Sequence, residues 1–303
     1  MNSEVQGAGP VISELLKDTA SDTRPIGVFD SGIGGLTVLK EIWSELPGES
    51  TIYFGDNGRM PYGTKSHDTI VKYSLENMYF LLENNVKMIV IACNSASAHA
   101  YDAVRARAKV PVVEVITPGA ACAVSTTVTG RIGIIATRAT VNSGVYKVAV
   151  EEAARSLLAQ DKNKEALADL YVEQAACPIF VSLAEEGWWD TQITHLAAEE
   201  YLKDLKKNRI DTLILGCTHY PLLTRTIADV MGPDTSLINA GASVAQKVRE
   251  VLDTNHLRNL SGQEPERRFY TSDDPQMFEE LAAPFLGGGS PSGTCRVRTE
   301  NAN

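Results

Sequence analysis

Short apolar runs alternate with segments of helical periodicity along most of this 303-residue chain. Most of the runs are continuous and aliphatic, which is typical of strands that are covered on both faces. The runs lie at Ile26–Asp30, Thr51–Phe54, Met88–Ala92, Val112–Ile116, Ile132–Ala136, Leu213–Leu215, Leu237–Ile238 and Phe269–Tyr270. Strands that alternate with helices predict an α/β fold, in which helices flank mainly parallel sheets.

Two helices are predicted from apolar residues that recur every third or fourth position. The first extends from about Ser66 to Glu83, and the second starts near Asp190. The apolar residues that share one face are Val71, Leu75, Met78 and Leu82 in the first helix and Ile193, Ala197, Tyr201 and Leu205 in the second.

The composition, with 44% hydrophobic and 22% charged residues, is that of a globular protein. A chain of this length can bury a core without disulfides, and it has room for two domains. The formal net charge of -10 argues against nonspecific binding to nucleic acid or to an anionic membrane surface. No apolar run approaches the roughly 20 residues that span a bilayer, and the N-terminus lacks a signal-peptide pattern, so we expect a cytoplasmic protein.

Five cysteines are present, an odd number, and no two of them have CxxC spacing. This pattern argues against a disulfide framework or a structural zinc site, and it indicates free thiols in a reducing compartment. Cys122 and Cys177 lie in apolar settings and are interpreted as small buried hydrophobes. Cys295 lies in a glycine- and serine-rich segment and is interpreted as an exposed bystander.

Cys93 and Cys217 share one sequence context. The stretches IVIACNS and LILGCTH each contain three aliphatic residues, a small residue, the cysteine and two polar residues. The two cysteines are about one domain length apart. Functional groups in parallel α/β sheets follow the carboxyl ends of the strands. Two similar domains that face each other would therefore bring both thiols to one cleft.

A pair of thiols across a cleft suits proton transfer at carbon. One thiolate removes a proton from one face of a substrate, and the other thiol delivers a proton to the opposite face. An unperturbed thiol has a pKa of about 8.5, and a nearby imidazolium, such as that of His219, makes thiolate available near neutral pH. Two alternatives stay open: a cysteine hydrolase that uses Cys217 and His219, and a non-catalytic ligand-binding protein.

The segment DSGIGGL follows the first predicted strand and is rich in glycine. Gly32 and Gly34 fit the first two glycines of a dinucleotide-binding fingerprint, but Thr37 stands at the last glycine, so that function is not indicated. Two interpretations stay open: the glycines let backbone N–H groups approach an anion, or they form a plain tight turn.

Several motifs in this order resemble the bacterial glutamate racemases of the cofactor-independent aspartate/glutamate racemase superfamily. The motifs are GVFDSGIGGLTVL, MPYGTKS, ACNSASA, RIGIIATRATVNSG and GCTHYPLL. The resemblance extends from about Pro25 to Leu286. It implies two pseudo-symmetric domains, each a mainly parallel sheet flanked by helices, with the active site in the cleft between them.

The resemblance also implies how the chain is divided. A first α/β domain would consist of residues 25–117 and 225–287, and a second of residues 118–224. The polar residues 1–24 are predicted to form a flexible arm, and the glycine- and serine-rich residues 288–303 a flexible tail.

Roles for individual residues follow from the same resemblance. Cys93 would act on D-glutamate and Cys217 on L-glutamate, and the assisting acid–base groups would be Asp30, His219 and Glu185. The positions that would hold the substrate are Ser31, Tyr62, Gly63, Asn94, Ser95, Thr137, Thr140 and Thr218. The resemblance implies no pyridoxal phosphate, no other cofactor and no metal.

The sequence therefore predicts an isomerase that interconverts L- and D-glutamate by proton transfer at Cα between two cysteines. Its product would supply peptidoglycan synthesis, and so cell wall formation and cell shape. The implied partners are a small-molecule substrate and a second copy in a homodimer, with no nucleic acid and no membrane. An aspartate racemase of the same superfamily is the nearest alternative, and the hydrolase is the alternative from another class.

Overall fold

The aliphatic runs form the strands of two separate sheets. The computed structural model describes residues 21–161, 164–289 and 291–297. Within these residues the strands are β1 (Ile26–Asp30), β2 (Thr51–Gly55), β3 (Met88–Ile91), β4 (Val112–Glu114), β5 (Arg131–Ala136), β6 (Tyr171–Ala176), β7 (Thr212–Gly216), β8 (Ser236–Ile238), β9 (Arg267–Thr271) and β10 (Cys295–Arg296). Every predicted strand is confirmed, although β4 is shorter than its run because a helix begins at Ile116.

Helices connect the strands and cover the sheets. In the described part of the chain they are α1 (Leu36–Glu45), α2 (His67–Glu83), α3 (Asn94–Arg107), α4 (Ile116–Thr126), α5 (Arg138–Ser143), α6 (Val145–Gln160), α7 (Ile179–Glu185), α8 (Gln192–Lys207), α9 (Thr224–Met231), α10 (Gly241–Thr254) and α11 (Pro275–Ala282). The side chains of Ser66 and Thr191 each accept a backbone N–H and so cap the two predicted helices, α2 and α8. Among these helices none has both the length and the apolar character that crossing a bilayer requires.

The buried face of α8 is rotated by about one residue from the predicted face. Its buried residues are Thr194, Ala198, Leu202 and Leu205, whereas Ile193 is 53% exposed. The prediction is confirmed for Leu205 but wrong for the other three residues, because threonine and alanine at the contact positions carry little hydrophobic signal. The same holds for α2, where polar residues belong to the buried set. That set is Ile70, Ser74, Asn77, Met78 and Leu81.

The two sheets repeat one strand order. The first has the order β10-β9-β2-β1-β3-β4 and the second has the order β6-β5-β7-β8, and all paired strands are parallel. The inner strands β2-β1-β3-β4 therefore correspond one by one to β6-β5-β7-β8. The predicted α/β class with parallel sheets is confirmed. Strands β3 and β7, which precede Cys93 and Cys217, take equivalent places.

The segment 225–287 is divided between the two sheets. Strand β9 joins the first sheet as expected, but β8 pairs with β7 in the second sheet, with Leu213 opposite Leu237. Placing residues 236–238 with the first domain is therefore wrong. A strand of three residues carries no signal for the sheet it joins, because every sheet edge offers the same unpaired backbone groups. The rest of the domain division stays a prediction.

The C-terminal segment contributes a strand to the first sheet. A flexible tail is predicted for residues 288–303, but β10 pairs with β9. The N–H of Val297 donates to Thr271 O at 2.8 Å, and its side chain packs against the apolar cluster at this edge. The prediction of a flexible tail is wrong here because Val297 makes a backbone hydrogen bond to the sheet edge and also buries its apolar side chain. Residues 1–20 of the predicted arm lie outside the described part of the chain.

One apolar cluster joins the two sheets. It contains Ile26 and Val90 from the first sheet and Ile132 and Ile214 from the second, all of them buried. Burial of apolar surface stabilises the folded state by about 25 cal/mol per Å². The shared cluster therefore fixes the position of β3 relative to β7, and with it the position of the two cysteines that follow these strands.

Candidate active site

Cys93 and Cys217 line one cavity between the two sheets. Both thiols follow the carboxyl end of a strand, β3 and β7, and their exposed fractions are 5% and 6%. The cavity measures about 20 Å³ in this conformation. Its walls are Ser31, Met60, Pro61, Tyr62, Gly63, Cys93, Asn94, Ser95, Thr137, Val181, Cys217, Thr218 and His219. The structure thus brings together the two thiols that the sequence pattern pairs.

Cys93 occupies the N-cap of α3. Its Sγ accepts the N–H of Ala96 at 3.5 Å, and its S–H donates to Ser31 Oγ at 3.6 Å. Burial raises the pKa of the Cys93 thiol to about 12, and the charge of Asp30 adds to the shift, while the two hydrogen bonds oppose it. Cys93 is therefore a neutral thiol near neutral pH.

Asp30 lies at the end of β1, fully buried beneath the glycine-rich loop. Its Oδ1 accepts the N–H of Gly32 at 3.0 Å, and its Oδ2 accepts the hydroxyl of Thr218 at 3.4 Å. Burial raises the pKa of Asp30, although the charge of His219 and the hydrogen bonds oppose the shift. The glycine-rich loop therefore encloses a carboxyl group of the protein itself, which accepts one of the loop's backbone N–H groups.

Two glycines allow the loops of the first sheet to approach the second sheet closely. A Cβ at Gly34 would lie 2.6 Å from His219 Nδ1, and a Cβ at Gly63 would lie 2.5 Å from Thr137 Cβ. Real side chains do not tolerate such distances, so only glycine fits at these positions. The close approach places groups from both sheets around the same cavity.

His219 lies between Cys217 and Glu185. Cys217 Sγ is 3.8 Å from His219 Nδ1, and His219 Nε2 is 2.8 Å from Glu185 Oε1. Burial by itself lowers the pKa of His219, but the contacts with Cys217 and Glu185 outweigh burial and raise this pKa to about 10. The imidazole is therefore protonated near neutral pH, and a positive charge beside a sulfur favours its thiolate form.

Three hydroxyl groups form a cluster, and the residues of two of them, Ser95 and Thr137, line the cavity, whereas Thr140 lies behind them. Ser95 Oγ lies 2.9 Å from Thr137 Oγ1 and 3.3 Å from Thr140 Oγ1, and the two threonine hydroxyls are 3.0 Å apart. Ser95 belongs to α3, whereas Thr137 caps α5, so the two sheets both contribute. Hydroxyls in such a cluster can donate to a carboxylate.

The other residues predicted to hold a substrate lie around the same cavity. Those that line it are Ser31, Tyr62, Gly63, Asn94 and Thr218. The hydroxyl of Tyr62 is engaged within the protein, since it donates to Asp56 and accepts from Asn77. Tyr62 can therefore offer a ligand its backbone and ring, but not a free hydroxyl.

A second cavity of about 210 Å³ adjoins the first. Both cavities share the walls Met60, Pro61, Gly63, Thr137 and Val181. Glu185 lines the second cavity and reaches the first only through His219. Sequence reasoning missed Met60, Pro61 and Val181, because a single apolar residue carries no chemical signal before its neighbours are known.

One group of described side chains at the surface has the spacing of cation ligands. One ligand atom each from Asp190, His195 and Asp229 lies within 4.8 Å of the others. Asp190 is also paired with Arg225 at 3.0 Å, which competes with a cation for the carboxylate. The group does not line the thiol cavity, so it has no part in the chemistry there.

The chain is similar to known racemases over most of its length. The family model described as Asp/Glu/Hydantoin racemase matches residues 26–248. A glutamate racemase from Geobacter metallireducens is 44% identical over 265 residues, which cover 88% of this chain and 93% of that protein. A glutamate racemase from Chlorobaculum tepidum is 45% identical over 272 residues, which cover 89% of this chain and 95% of that protein.

A solved crystal structure with a comparable sequence identity to this chain has the same fold. The crystal structure of glutamate racemase from Francisella tularensis in complex with D-glutamate superposes with a TM-score of 0.82 at 39% identity. The match covers 92% of this chain and 99% of that chain. The chain therefore belongs to the Asp/Glu/hydantoin racemase family and, within it, to the glutamate racemases, and it is an isomerase of the amino-acid racemase class.

Proposed function

We propose that this racemase interconverts L- and D-glutamate by proton transfer at Cα between Cys93 and Cys217. The observation that carries the proposal is that these two thiols, which follow strands of different sheets, line one cavity. Inversion at carbon needs a proton acceptor on one face of Cα and a proton donor on the other. Two sulfurs held by facing sheets can meet this requirement without a rotation of the substrate.

Each direction uses one sulfur as the base and the other as the acid. From L-glutamate, the Cys217 thiolate takes the Cα proton, the electron pair of the broken C–H bond stays on Cα, and the Cys93 S–H protonates the opposite face. From D-glutamate, the Cys93 thiolate takes the proton and the Cys217 S–H returns one. A neutral Cys93 and a protonated His219 beside Cys217 fit the resting state for L-glutamate.

The intermediate is a carbanion next to a carboxylate, so the site has to stabilise negative charge. Asp30 is assigned to assist Cys93, and His219 to assist Cys217, with Glu185 keeping His219 protonated. Charges interact more strongly in a buried site than in water. Closure of the small cavity around the substrate would exclude water and preserve these interactions.

Glutamate is the proposed substrate because the cavity offers several donors to a small dianion. The hydroxyl cluster of Ser95, Thr137 and Thr140, together with Asn94, can hold carboxylates at positions contributed by both sheets. The relative from Francisella tularensis is in complex with D-glutamate. We further propose that the product supplies peptidoglycan synthesis in the cytoplasm, and that the enzyme acts as a homodimer.

A cysteine hydrolase is the second candidate. Cys217, His219 and Glu185 are connected in the order of a nucleophile, a base and an acidic group that orients the base. In that enzyme Cys93 would be structural, and its loss would leave turnover intact. The position of Cys93 on the same cavity favours the racemase instead.

Turnover in deuterated water separates the two candidates. A two-base racemase incorporates solvent deuterium at Cα as L-glutamate becomes D-glutamate. We expect Cys93→Ser and Cys217→Ser each to lower kcat/KM by at least about 100-fold, because each removes a proton-transfer group. The control is Cys122→Ser, a free cysteine outside the thiol cavity. Unchanged turnover in Cys93→Ser contradicts the two-thiol mechanism and favours the hydrolase.

The choice of substrate has its own test. Racemisation of L-glutamate and L-aspartate should be measured side by side under the same conditions. We expect the larger kcat/KM with glutamate, whose second carboxylate lies one methylene further from Cα. A larger kcat/KM with aspartate would instead support the aspartate racemase alternative.

A further inference from the structure

Tyr146 is a buried side chain that contacts both thiol-bearing segments. It is the second residue of α6 and has no exposed surface. Its hydroxyl donates to Asn94 Oδ1 at 2.7 Å, and Asn94 directly follows Cys93. Its ring lies against Gly216, the residue before Cys217, since a Cβ there would be 3.1 Å from Tyr146 Cε2. Neither the motifs nor the proposed mechanism assigns this tyrosine a role.

The hydrogen bond fixes the direction in which the Asn94 amide faces. A buried phenol needs an acceptor, and among the described residues Asn94 Oδ1 is the acceptor that Tyr146 reaches. Burial raises the pKa of Tyr146, and the charges of Glu114 and Cys217 add to the shift, so the hydroxyl keeps its proton. If the Asn94 amide were reversed, the buried Tyr146 hydroxyl would face an N–H donor and lose its acceptor. A buried donor without a partner lowers the stability of the folded state.

The amino group of Asn94 is consequently left for the cavity. Asn94 is 6% exposed and lines the cavity, and no described residue accepts a hydrogen bond from its Nδ2. Both N–H donors are therefore available to a ligand. A carboxylate can accept from them, whereas an ammonium group cannot.

We propose that Tyr146 is a positioning residue that holds the Asn94 amide with its amino group towards a carboxylate of the substrate. The inference rests on the proposed function, in which Asn94 contacts glutamate. Because Asn94 adjoins Cys93 and the tyrosine ring lies against the residue before Cys217, one side chain sets the substrate carboxylate relative to both sulfurs.

The variant Tyr146→Phe tests the proposal because it keeps the ring against Gly216 and removes the hydroxyl. We expect kcat/KM for L-glutamate to fall about 3- to 10-fold, as for the loss of one hydrogen bond. Most of the change should be in KM, since an Asn94 amide that is free to rotate weakens binding. In the Asn94→Ala background, Tyr146→Phe should cost less than about 1.5-fold.

A spectroscopic measurement reports the orientation without turnover. In protein labelled with ¹⁵N-asparagine, Asn94→Ala identifies the side-chain amide signals of Asn94, and Tyr146→Phe should shift or broaden them in the free enzyme. The matched control is Tyr220→Phe, which removes another buried tyrosine hydroxyl, one that donates to Cys177 O at 2.8 Å. This control should leave the Asn94 signals in place.

Two results overturn the proposal. Asn94 amide signals that do not change in Tyr146→Phe show that the hydroxyl does not orient the amide. An equal loss of kcat/KM with and without Asn94 shows that the tyrosine acts through packing alone. A wild-type enzyme that does not racemise glutamate contradicts the proposed function instead, and the amide signals still decide whether Tyr146 orients Asn94.

Discussion

The two cysteine segments have the same sequence pattern but different surroundings. Cys93 caps a helix, contacts the hydroxyl of Ser31 and lies near the buried carboxyl of Asp30. Cys217 lies 3.8 Å from an imidazole that Glu185 keeps protonated. Equivalent strands place the sulfurs, but their surroundings differ: Cys93 is a neutral thiol, whereas Cys217 lies beside a protonated imidazole. The proposed reaction needs an acid and a base together, and this difference is suited to it.

One thermodynamic condition limits what kinetic experiments can show about the difference between Cys93 and Cys217. L- and D-glutamate have equal free energies, so kcat/KM in the two directions must be equal for every variant. A substitution near one sulfur therefore lowers kcat/KM equally in both directions. The asymmetry between the two sulfurs has to be sought in their reactivity and in pH dependence.

The largest effect is expected from His219→Asn. The variant removes the positive charge next to Cys217, which in the proposed mechanism favours the thiolate that starts the reaction of L-glutamate. We expect kcat/KM to fall about 100-fold or more in both directions, measured by polarimetry. The control is His195→Asn, whose imidazole pairs with Asp190 outside the cavity. A loss of less than about 3-fold would mean that His219 does not support the thiolate.

Alkylation should separate the two sulfurs directly. Their exposed fractions are nearly the same, 5% and 6%, so differences in rate report thiolate content more than access. With iodoacetamide near neutral pH, we expect Cys217 to react at least about 10-fold faster than Cys93, because the thiolate is the nucleophile. Peptide mapping by mass spectrometry measures both rates, with the exposed Cys295 as the internal reference. Equal rates would show that the protonated imidazole of His219 does not activate the Cys217 sulfur.

Glu185→Gln should move the alkaline limit of activity to lower pH. Its carboxylate helps to raise the pKa of His219 to about 10 from the usual 6.5. In the proposed mechanism the active form has a protonated His219, and a lower pKa means that this proton is lost at a lower pH. We expect kcat/KM about 10-fold below wild type near pH 9 but little changed near pH 6.

The neighbouring carboxylate provides the control for that experiment. Glu186→Gln changes an exposed residue that adjoins Glu185 in sequence, and its pH profile should match the wild type. A Glu185→Gln profile that falls by one factor at every pH would show that Glu185 acts by position and not through the charge of His219.

The smallest effect is expected from Thr37→Val, which loosens the contact between the two halves of the site. The buried hydroxyl of Thr37 lies 2.9 Å from Gly34 O and 3.2 Å from Thr218 O. Its loss should lower the free energy of unfolding by about 1 kcal/mol and kcat/KM by about 3-fold or less. Urea unfolding and racemisation assays measure the two effects.

The control for this variant is Thr224→Val, which removes an exposed hydroxyl bonded to Pro221 O. It should change the free energy of unfolding by less than Thr37→Val does. An equal decrease in the free energy of unfolding in both variants would contradict this prediction. It would show that the Thr37 hydrogen bond to the Cys217 segment contributes no more stability than an exposed hydroxyl does.

The sequence predicted the elements that carry strong local signals. The aliphatic runs before Cys93 and Cys217 identified β3 and β7, and their matching contexts indicated one shared site. Strand β6 was missed because Glu173 and Gln174 interrupt its pattern, and its residues are only half-buried. A buried strand shows a continuous apolar run and a half-buried strand shows strict alternation; YVEQAA shows neither pattern, so it resembles a loop.

Apart from the imidazolium of His219, which its place beside Cys217 already suggested, the charges at the site could not be predicted, because they depend on distances between elements. Nothing local indicates that Glu185 reaches His219, which is far along the chain, or that the glycine-rich loop encloses Asp30. Only the family resemblance named these residues together. The sequence did not identify Tyr146 as a site residue for a related reason. In sequence, an aromatic residue near the start of a helix looks the same whether it packs in the core or orients a group at the site.

The cavity between the sulfurs has a consequence for how tightly the enzyme holds glutamate. Its volume of about 20 Å³ has room for about one ordered water molecule but not for an amino acid. A free amino acid cannot enter this conformation, so capture requires a more open one. The measured dissociation constant then exceeds the intrinsic one by the inverse of the open fraction. Substitutions that part the sheets would strengthen apparent affinity while weakening catalysis.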